Sequence, residues 1–364
     1  MIFLIVVVGL IAAGGTAGAT AADRWGDLSQ QAQRLNMEGR LRELEECLVK
    51  ALQVAETFEP TDVRLPQTMT QLGTAVWNLG RPAEAEQLYL RALRLWEHNG
   101  LGNHPDAAAT LSCLAAIRRI SGHYREAVLL HERALTITGK TFGTDSPESA
   151  NARKDLAADH FYHGEYKKTV LLLDPEAEVW DRVSPLHRAA MLNILGLAQH
   201  GLRHDKEAEL QLSNALRIRR GVLGPAHPKL AEASANLALV KASLGEFTQA
   251  EALIQEALSI VVANFGPRHP LEAPLRRVYA CVLRKTGRKK EAQLMEQRAV
   301  EIEQAWAGDA HRGSYWLTSE NCTACGKNDQ PGRGAAAQGL PGDSHLNLKC
   351  CVERVRVRSR PFHA

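Results

Sequence analysis

Residues 72–96 read LGTAVWNLGRPAEAEQLYLRALRLW, from Leu72 to Trp96, and this text is one of seven versions spread along the chain. A glycine marks the centre of each version: Gly39, Gly80, Gly122, Gly164, Gly245 and Gly287. Arg203 stands where the pattern asks for a seventh. The successive spacings are 41, 42, 42, 39, 42 and 42 residues. Self-similarity at such a period is the signature of a repeat architecture. Five residues after each centre comes Leu44, Ala85, Ala127, Thr169, Ala208, Ala250 or Ala292. Seven further on comes Ala51, Ala92, Ala134, Ala215, Ala257 or Ala299, with Glu176 as the exception in the fourth version. Seven residues before each centre stands Ala32, Gly73, Ala115, Ala157, Gly196, Ala238 or Ala280.

Small residues at fixed positions let two helices approach closely, and larger ones there would overpack the contact. Between the small columns, apolar residues recur at helical spacing, as at Leu88, Ala92, Leu93 and Leu95. Each version is therefore predicted to be a helix–turn–helix hairpin. A lone hairpin cannot bury its apolar face, so the hairpins must stack.

The order of small and large positions resembles the tetratricopeptide repeat, although the period exceeds that family's unit of roughly 34 residues. The extra residues fall in loops with a common text: Gly102-Asn103-His104-Pro105, Gly224-Pro225-Ala226-His227-Pro228 and Gly266-Pro267-Arg268-His269-Pro270. This is similar to the 42-residue, kinesin-light-chain type of repeat. The resemblance covers about 23–307 and implies an all-α, right-handed α-solenoid of about seven repeats, the fourth degenerate. There, Asp174-Pro175 interrupts the second helix, because proline removes a backbone donor and clashes with the turn before it. Either drift of one unit or a break that alters the groove's curvature accounts for it.

The chain of 364 residues is 45% hydrophobic and only 5% aromatic, which suits thin layers of Ala and Leu. With 44 basic and 41 acidic residues it is balanced, so the chain as a whole is no polyanion binder and no nucleic acid is expected. Residues 1–21 carry no charged side chain and end in small residues around Ala17-Gly18-Ala19. That layout predicts a cleaved secretory signal or an uncleaved hydrophobic anchor. The expected location is exported, periplasmic or extracellular, or membrane-anchored through this segment. From Gly308 to Ala364 the helical periodicity vanishes, and a disordered, Cys-containing basic tail is expected.

Chemistry-bearing motifs are few. Cys322, Cys325, Cys350 and Cys351, near His345, could be unstructured thiols, a zinc site or a redox pair, and adjacent cysteines suit a tetrahedral ion poorly. Cys47, Cys113 and Cys281 read as small core hydrophobes. His104, His227 and His269 read as His-Pro starts of the next helix. His160 and His163, three apart, would permit a shared ligand without a third. No nucleophile elbow, metalloprotease motif, phosphate loop or dinucleotide fingerprint occurs, so neither catalysis nor a cofactor is expected.

What the resemblance implies for function is a non-catalytic scaffold that binds a peptide or partner protein in its concave groove. The family's groove positions map here onto Gln67, Thr70, Thr74, Trp77, Asn78, Ser112, Arg119, Ile120, Asn151, Lys154, Phe161, Tyr162, Asn193, His200, Glu232, Ser243, Arg277, Arg284 and Lys285. Of these, Thr70, Trp77, Asn78, Arg119, Lys154, Phe161, Tyr162, Asn193, His200, Arg277 and Arg284 are the expected contacts. The excess of basic residues points to an acidic partner. The family's paired asparagines occur only singly, as Asn193 and Asn236. Phe161 and Tyr162 could equally pack on a neighbouring helix, and the basic residues could form a solvated face. The alternatives to a groove-binding scaffold are a self-assembling structural repeat protein of the cell envelope, associating through an uncapped last repeat, and an enzyme or metal-handling protein using the tail cysteines.

Overall fold

The computed structural model describes residues 20–305, and all the regular structure in that range is helical. Seven hairpins follow one another. They are α1 (Ala21–Met37) with α2 (Leu41–Ala55), α3 (Arg64–Asn78) with α4 (Pro82–His98), and α5 (Pro105–Ile120) with α6 (Tyr124–Phe142). Next comes α7 (Pro147–Tyr162) with the shortened α8 (Tyr166–Leu172) and a single turn α9 (Val179–Arg182). Then come α10 (Pro185–Gly201) with α11 (Asp205–Leu223), α12 (Lys229–Ser243) with α13 (Phe247–Phe265), and α14 (Glu272–Lys285) with α15 (Lys289–Ala305). The first helix begins at Ala21, two residues before the predicted start, because Thr20 and Asp23 close a capping box around it. The N-terminal apolar segment and the cysteine-containing tail lie outside the described residues.

Each hairpin turns through a left-handed residue. Gly80 has φ 82° and Gly245 has the same value, and Arg203 occupies that region at φ 67°. The substitution read from the 39-residue spacing is therefore tolerated at some conformational cost.

The small columns lie where helices touch. Ala85, Ala127, Ala208, Ala250 and Ala292 are all fully buried, as are Ala92, Ala134, Ala215, Ala257 and Ala299. The column before the turn adapts to its neighbour. In repeat 2 the large Tyr89 faces Gly73, where a Cβ would sit 2.7 Å from the ring. In repeat 5, Leu212 faces Gly196, where a Cβ would lie 2.8 Å from Leu212 Cγ.

Repeat 4 breaks where proline predicts, since α8 ends at Leu172. The break is a built corner. Asp174 Oδ1 accepts the Glu176 N–H at 3.0 Å, and its carbonyl accepts the indole N–H of Trp180 at 2.8 Å. Trp180, Leu173, Val179 and Val183 fill the space that a full second helix occupies in the other repeats, while Glu176 turns outward. Drift alone would not supply a buried tryptophan with its polar atom satisfied.

The hairpins stack in order. First helices form the inner row, where successive members touch: α3 with α5, α5 with α7, α7 with α10, α10 with α12, and α12 with α14. Second helices form the outer row, packing chiefly on the first helix of their own repeat and secondarily on that of the next.

Candidate functional site

The inner row is the concave face, and it is not uniform. In α3, Gln71, Thr74 and Asn78 are exposed, with Thr70 and Trp77 half-buried beside them. Ile120 at the end of α5 is also exposed. In α12, by contrast, every residue from Ala233 to Lys241 is buried. The apolar first helices of repeats 4 to 6 close on each other there, and Phe161, Leu197, Ala235 and Leu237 share one core cluster.

Three expected contacts therefore offer no side-chain surface, which corrects the sequence reading. Phe161 is 7% exposed and packs edge-on against Tyr162, with ring centroids 5.4 Å apart. Asn193 is buried and accepts from Asn236 Nδ2 at 3.0 Å, so the two single asparagines join α10 to α12. His200 is fully buried and bonds through Nδ1 to Asp205 Oδ1 at 2.5 Å. Thr70 remains half-buried and shares a 2.8 Å hydroxyl contact with Thr110.

The groove cations already have partners. Arg119 Nη1 donates to Asp159 Oδ1 at 2.9 Å, and Lys154 Nζ lies 3.0 Å from Asp155 Oδ1. Arg277 is paired with Glu303 at 2.5 Å, and Arg284 with Glu296. The sequence showed the excess of positive charge, but those carboxylates cancel it locally.

The Arg119 pair belongs to a cluster that motif reading missed. Asp159 is 0% exposed and binds Arg119 through one oxygen and His131 Nδ1 through the other. His131 is itself buried, and the Arg119 guanidinium lies 5.6 Å from the Tyr162 ring centroid. Burial penalises the Arg119 charge, and Asp159, with Tyr162 and Asp155 behind it, more than restores it, so the group is held above its ordinary pKa. The sequence did carry a signal. Inside the stack, Asp159 interrupts a column that reads Ala75, Ile117, Ala198, Val240 and Val282, and His131 interrupts one that reads Leu48, Tyr89, Leu173, Leu212 and Ile254; only the end repeats carry other charged residues at these positions, Arg34 and Glu296.

The loop histidines serve the fold. His104, His227 and His269 accept through Nδ1 the N–H of Asp106, Lys229 and Leu271, at 3.2, 3.1 and 3.4 Å. Ser146 and Ser184 cap the equivalent helices of repeats 4 and 5. Burial holds His227 and His269 below the ordinary imidazole pKa, which keeps Nδ1 free to accept. His160 and His163 both turn to Glu165, at 2.6 and 3.6 Å. Bonds from Lys168 first, and then His160, help pull the Glu165 carboxyl down to about 2. Among the described residues no group of three or more His, Cys, Asp or Glu side chains is arranged to hold a metal ion. Cys47 is buried as expected, but Cys113 and Cys281 are only half-buried, since both lie toward the inner row.

The tetratricopeptide-repeat profile matches residues 28–98, 64–138, 106–170, 187–260 and 229–305, stopping and resuming across the Asp174–Pro175 corner. No curated protein matches the chain. Among solved structures, nearly identical kinesin-light-chain repeats from Podosopora anserina are 23% identical, covering 57% of this chain and 99% of theirs, with a TM-score of 0.47. The apo quorum sensor NprR from B. thuringiensis is 14% identical, covering 78% and 88%, with a TM-score of 0.54. A Rap protein complexed with competence and sporulation factor is 11% identical, covering 79% and 98%, with a TM-score of 0.53.

Proposed function

The chain belongs to the tetratricopeptide-repeat family, and from that premise we propose that it is a non-catalytic scaffold holding an extended peptide or partner protein along the concave face of repeats 2 to 4. The observation that carries this reading is the open inner row there, with Thr74, Asn78 and Ile120 exposed and Trp77 and Tyr162 half-buried. Aromatic anchors of this kind dominate binding energy when a partner covers them. The Rap protein's complex with its factor supports a binding role for this fold.

In this reading, an acidic partner reaching repeat 7 exchanges its carboxylates for Glu303 and Glu296 on Arg277 and Arg284. Such an exchange gains little affinity, so charge sets the association rate more than the strength. The proposal includes export or membrane anchoring through residues 1–21, checked by N-terminal sequencing of the native chain.

The test is affinity capture with the full chain from its own cell, followed by binding measurements on the recovered partner. Trp77→Ala should mainly speed dissociation, and Arg277→Glu with Arg284→Glu should slow association at low salt. A partner whose binding is indifferent to Trp77 and to the pair of arginines would overturn the groove reading.

A further inference from the structure

The outer row carries a second feature, independent of the groove. Seven residues after each turn centre, the second helices present Glu46, Gln87, Leu129, Leu171, Leu210, Ala252 and Leu294. In repeats 3, 4 and 5 this position is an exposed leucine: Leu129 at 65%, Leu171 at 85% and Leu210 at 59%. One position earlier, Glu45, Glu86, Glu209 and Glu251 give way to Val128 and Val170 in repeats 3 and 4. Three consecutive repeats thus present an exposed leucine on the outer face, while repeat 5 keeps Glu209 and Leu294 of repeat 7 is exposed at 43%. A cleft of about 550 Å³, lined in part by Leu210, Trp180, Val183 and Arg217, adjoins the row.

Charges flank the leucines in order. Four residues before each stands a cation: Arg125, Lys167 and Lys206. This spacing puts each cation beside its leucine on the same helix face. Three residues after the first two leucines stand Glu132 and Asp174, with Ser213 in repeat 5. Among the described residues none of these five charged groups has an ion-pair partner, whereas the groove cations Arg119, Lys154, Arg277 and Arg284 are all paired.

We propose that the outer face of repeats 3 to 5 is a twofold interface with a second copy of this chain. The order cation–leucine–acid is self-complementary, as an isologous interface must be. A twofold axis running along the leucine row lays leucine on leucine. It also sets Arg125 and Lys167 toward the partner's Glu132 and the partner's Asp174. The axis at right angles would set cation against cation, so the charges select one arrangement. The row is short, three leucines with their flanking charges, so the dimer is weak and forms with rising concentration. It is a closed pair through the side of the solenoid, distinct from open-ended growth through the last repeat.

The experiment is sedimentation equilibrium of the full chain at concentrations up to about 100 μM. The expected result is a monomer–dimer equilibrium that stops at two. Leu171→Asp should weaken it about tenfold or more. Arg125→Glu alone should weaken it several-fold, and Arg125→Glu combined with Glu132→Arg should restore it to within about threefold. All these residues are exposed, and unchanged helical circular dichroism confirms folding. A chain that stays monomeric throughout overturns the proposal. So does a dimer indifferent to Leu171→Asp, or one that the charge swap fails to restore.

Discussion

The junctions between repeats are built in two ways. At the outer junctions a glutamate six residues after the turn centre pairs with a cation of the next repeat. The pairs are Glu45 with Arg81, Glu86 with Arg118, Glu209 with Lys241, and Glu251 with Arg288. A second rung joins Glu56 to Arg91, Glu97 to Arg133, and Arg220 to Glu256. The junctions on either side of repeat 4 lack both of these rungs, although Arg188 of repeat 5 pairs with Asp181 across the second. Repeat 3 meets repeat 4 through the buried Arg119–Asp159–His131 cluster. Repeat 4 meets repeat 5 through Tyr166 lying against Gly201, where a Cβ would be 2.7 Å from the ring, and through the Trp180 corner. In repeats 3 and 4 the rung glutamate is replaced by Val128 and Val170, and the exposed Leu129 and Leu171 stand beside them.

The two kinds of junction should respond very differently to mutation. The largest expected effect is Asp159→Ala, which strands a buried histidine and a largely desolvated arginine. Removing one member of a buried ionic cluster costs about 3–5 kcal/mol. In a quasi-linear stack, where each repeat touches only its neighbours, that loss should split the urea transition into two. A single transition with an unchanged midpoint would show that the cluster does not hold the junction.

Next in size are the alanine columns, which both halves share. Ala127→Leu and Ala257→Leu should each cost about 1–3 kcal/mol by overpacking, read as a fall in the denaturation midpoint. Equal costs on either side of repeat 4 would show that the packing columns do not distinguish the two classes of junction. A neutral result at both would mean that the contacts at these columns are misplaced.

The outer rungs should matter least of the three. Glu86→Ala and Glu209→Ala remove partly exposed pairs, for which about 0–1 kcal/mol is expected, and the loss should shrink in high salt. A cost approaching that of Asp159→Ala would erase the contrast between the junctions.

How much of this was legible in the sequence follows from the range of each interaction. The hairpins, the turn at Arg203 and the break at Pro175 are local or periodic, and small residues at fixed spacing leave few ways to pack. The ion-pair partners were not legible. Glu45 and Arg81 lie 36 residues apart in successive repeats, and only the stacking decides which cation each carboxylate meets. The groove expectation erred for the same reason. Phe161, Asn193 and His200 occupy groove positions in the repeat text, but repeats 4 to 6 close on each other and bury them. Polar residues breaking apolar columns, Asp159 and His131, were a usable signal for the buried cluster.

The smallest expected effect concerns acid, and it sharpens the contrast between helix starts where a loop histidine accepts an early amide and those capped by serine. His227 and His269 are held below the unfolded imidazole pKa of about 6.5. Their contribution is full above that value and is lost as pH falls through the lower folded-state pKa. The melting temperature should therefore drop slightly between pH 7 and 5. Replacing both residues by Ser, which can still accept an amide hydrogen bond but does not titrate in this range, should flatten that drop. An unaltered pH profile in the double variant would remove these histidines from the account.

The central claim is that all seven repeats form one continuous stack, with the fourth as a built corner. Amide hydrogen exchange across 173–183, followed by mass spectrometry on the full chain, tests it most directly. The amides of Ala177, Trp180 and Asp181 each donate to a backbone carbonyl within the corner. They should exchange about 100-fold or more slower than in an unstructured chain, as amides in a cooperatively folded unit do. Exchange at the unstructured rate over that whole segment would contradict the claim, leaving two separate solenoids joined by a frayed linker.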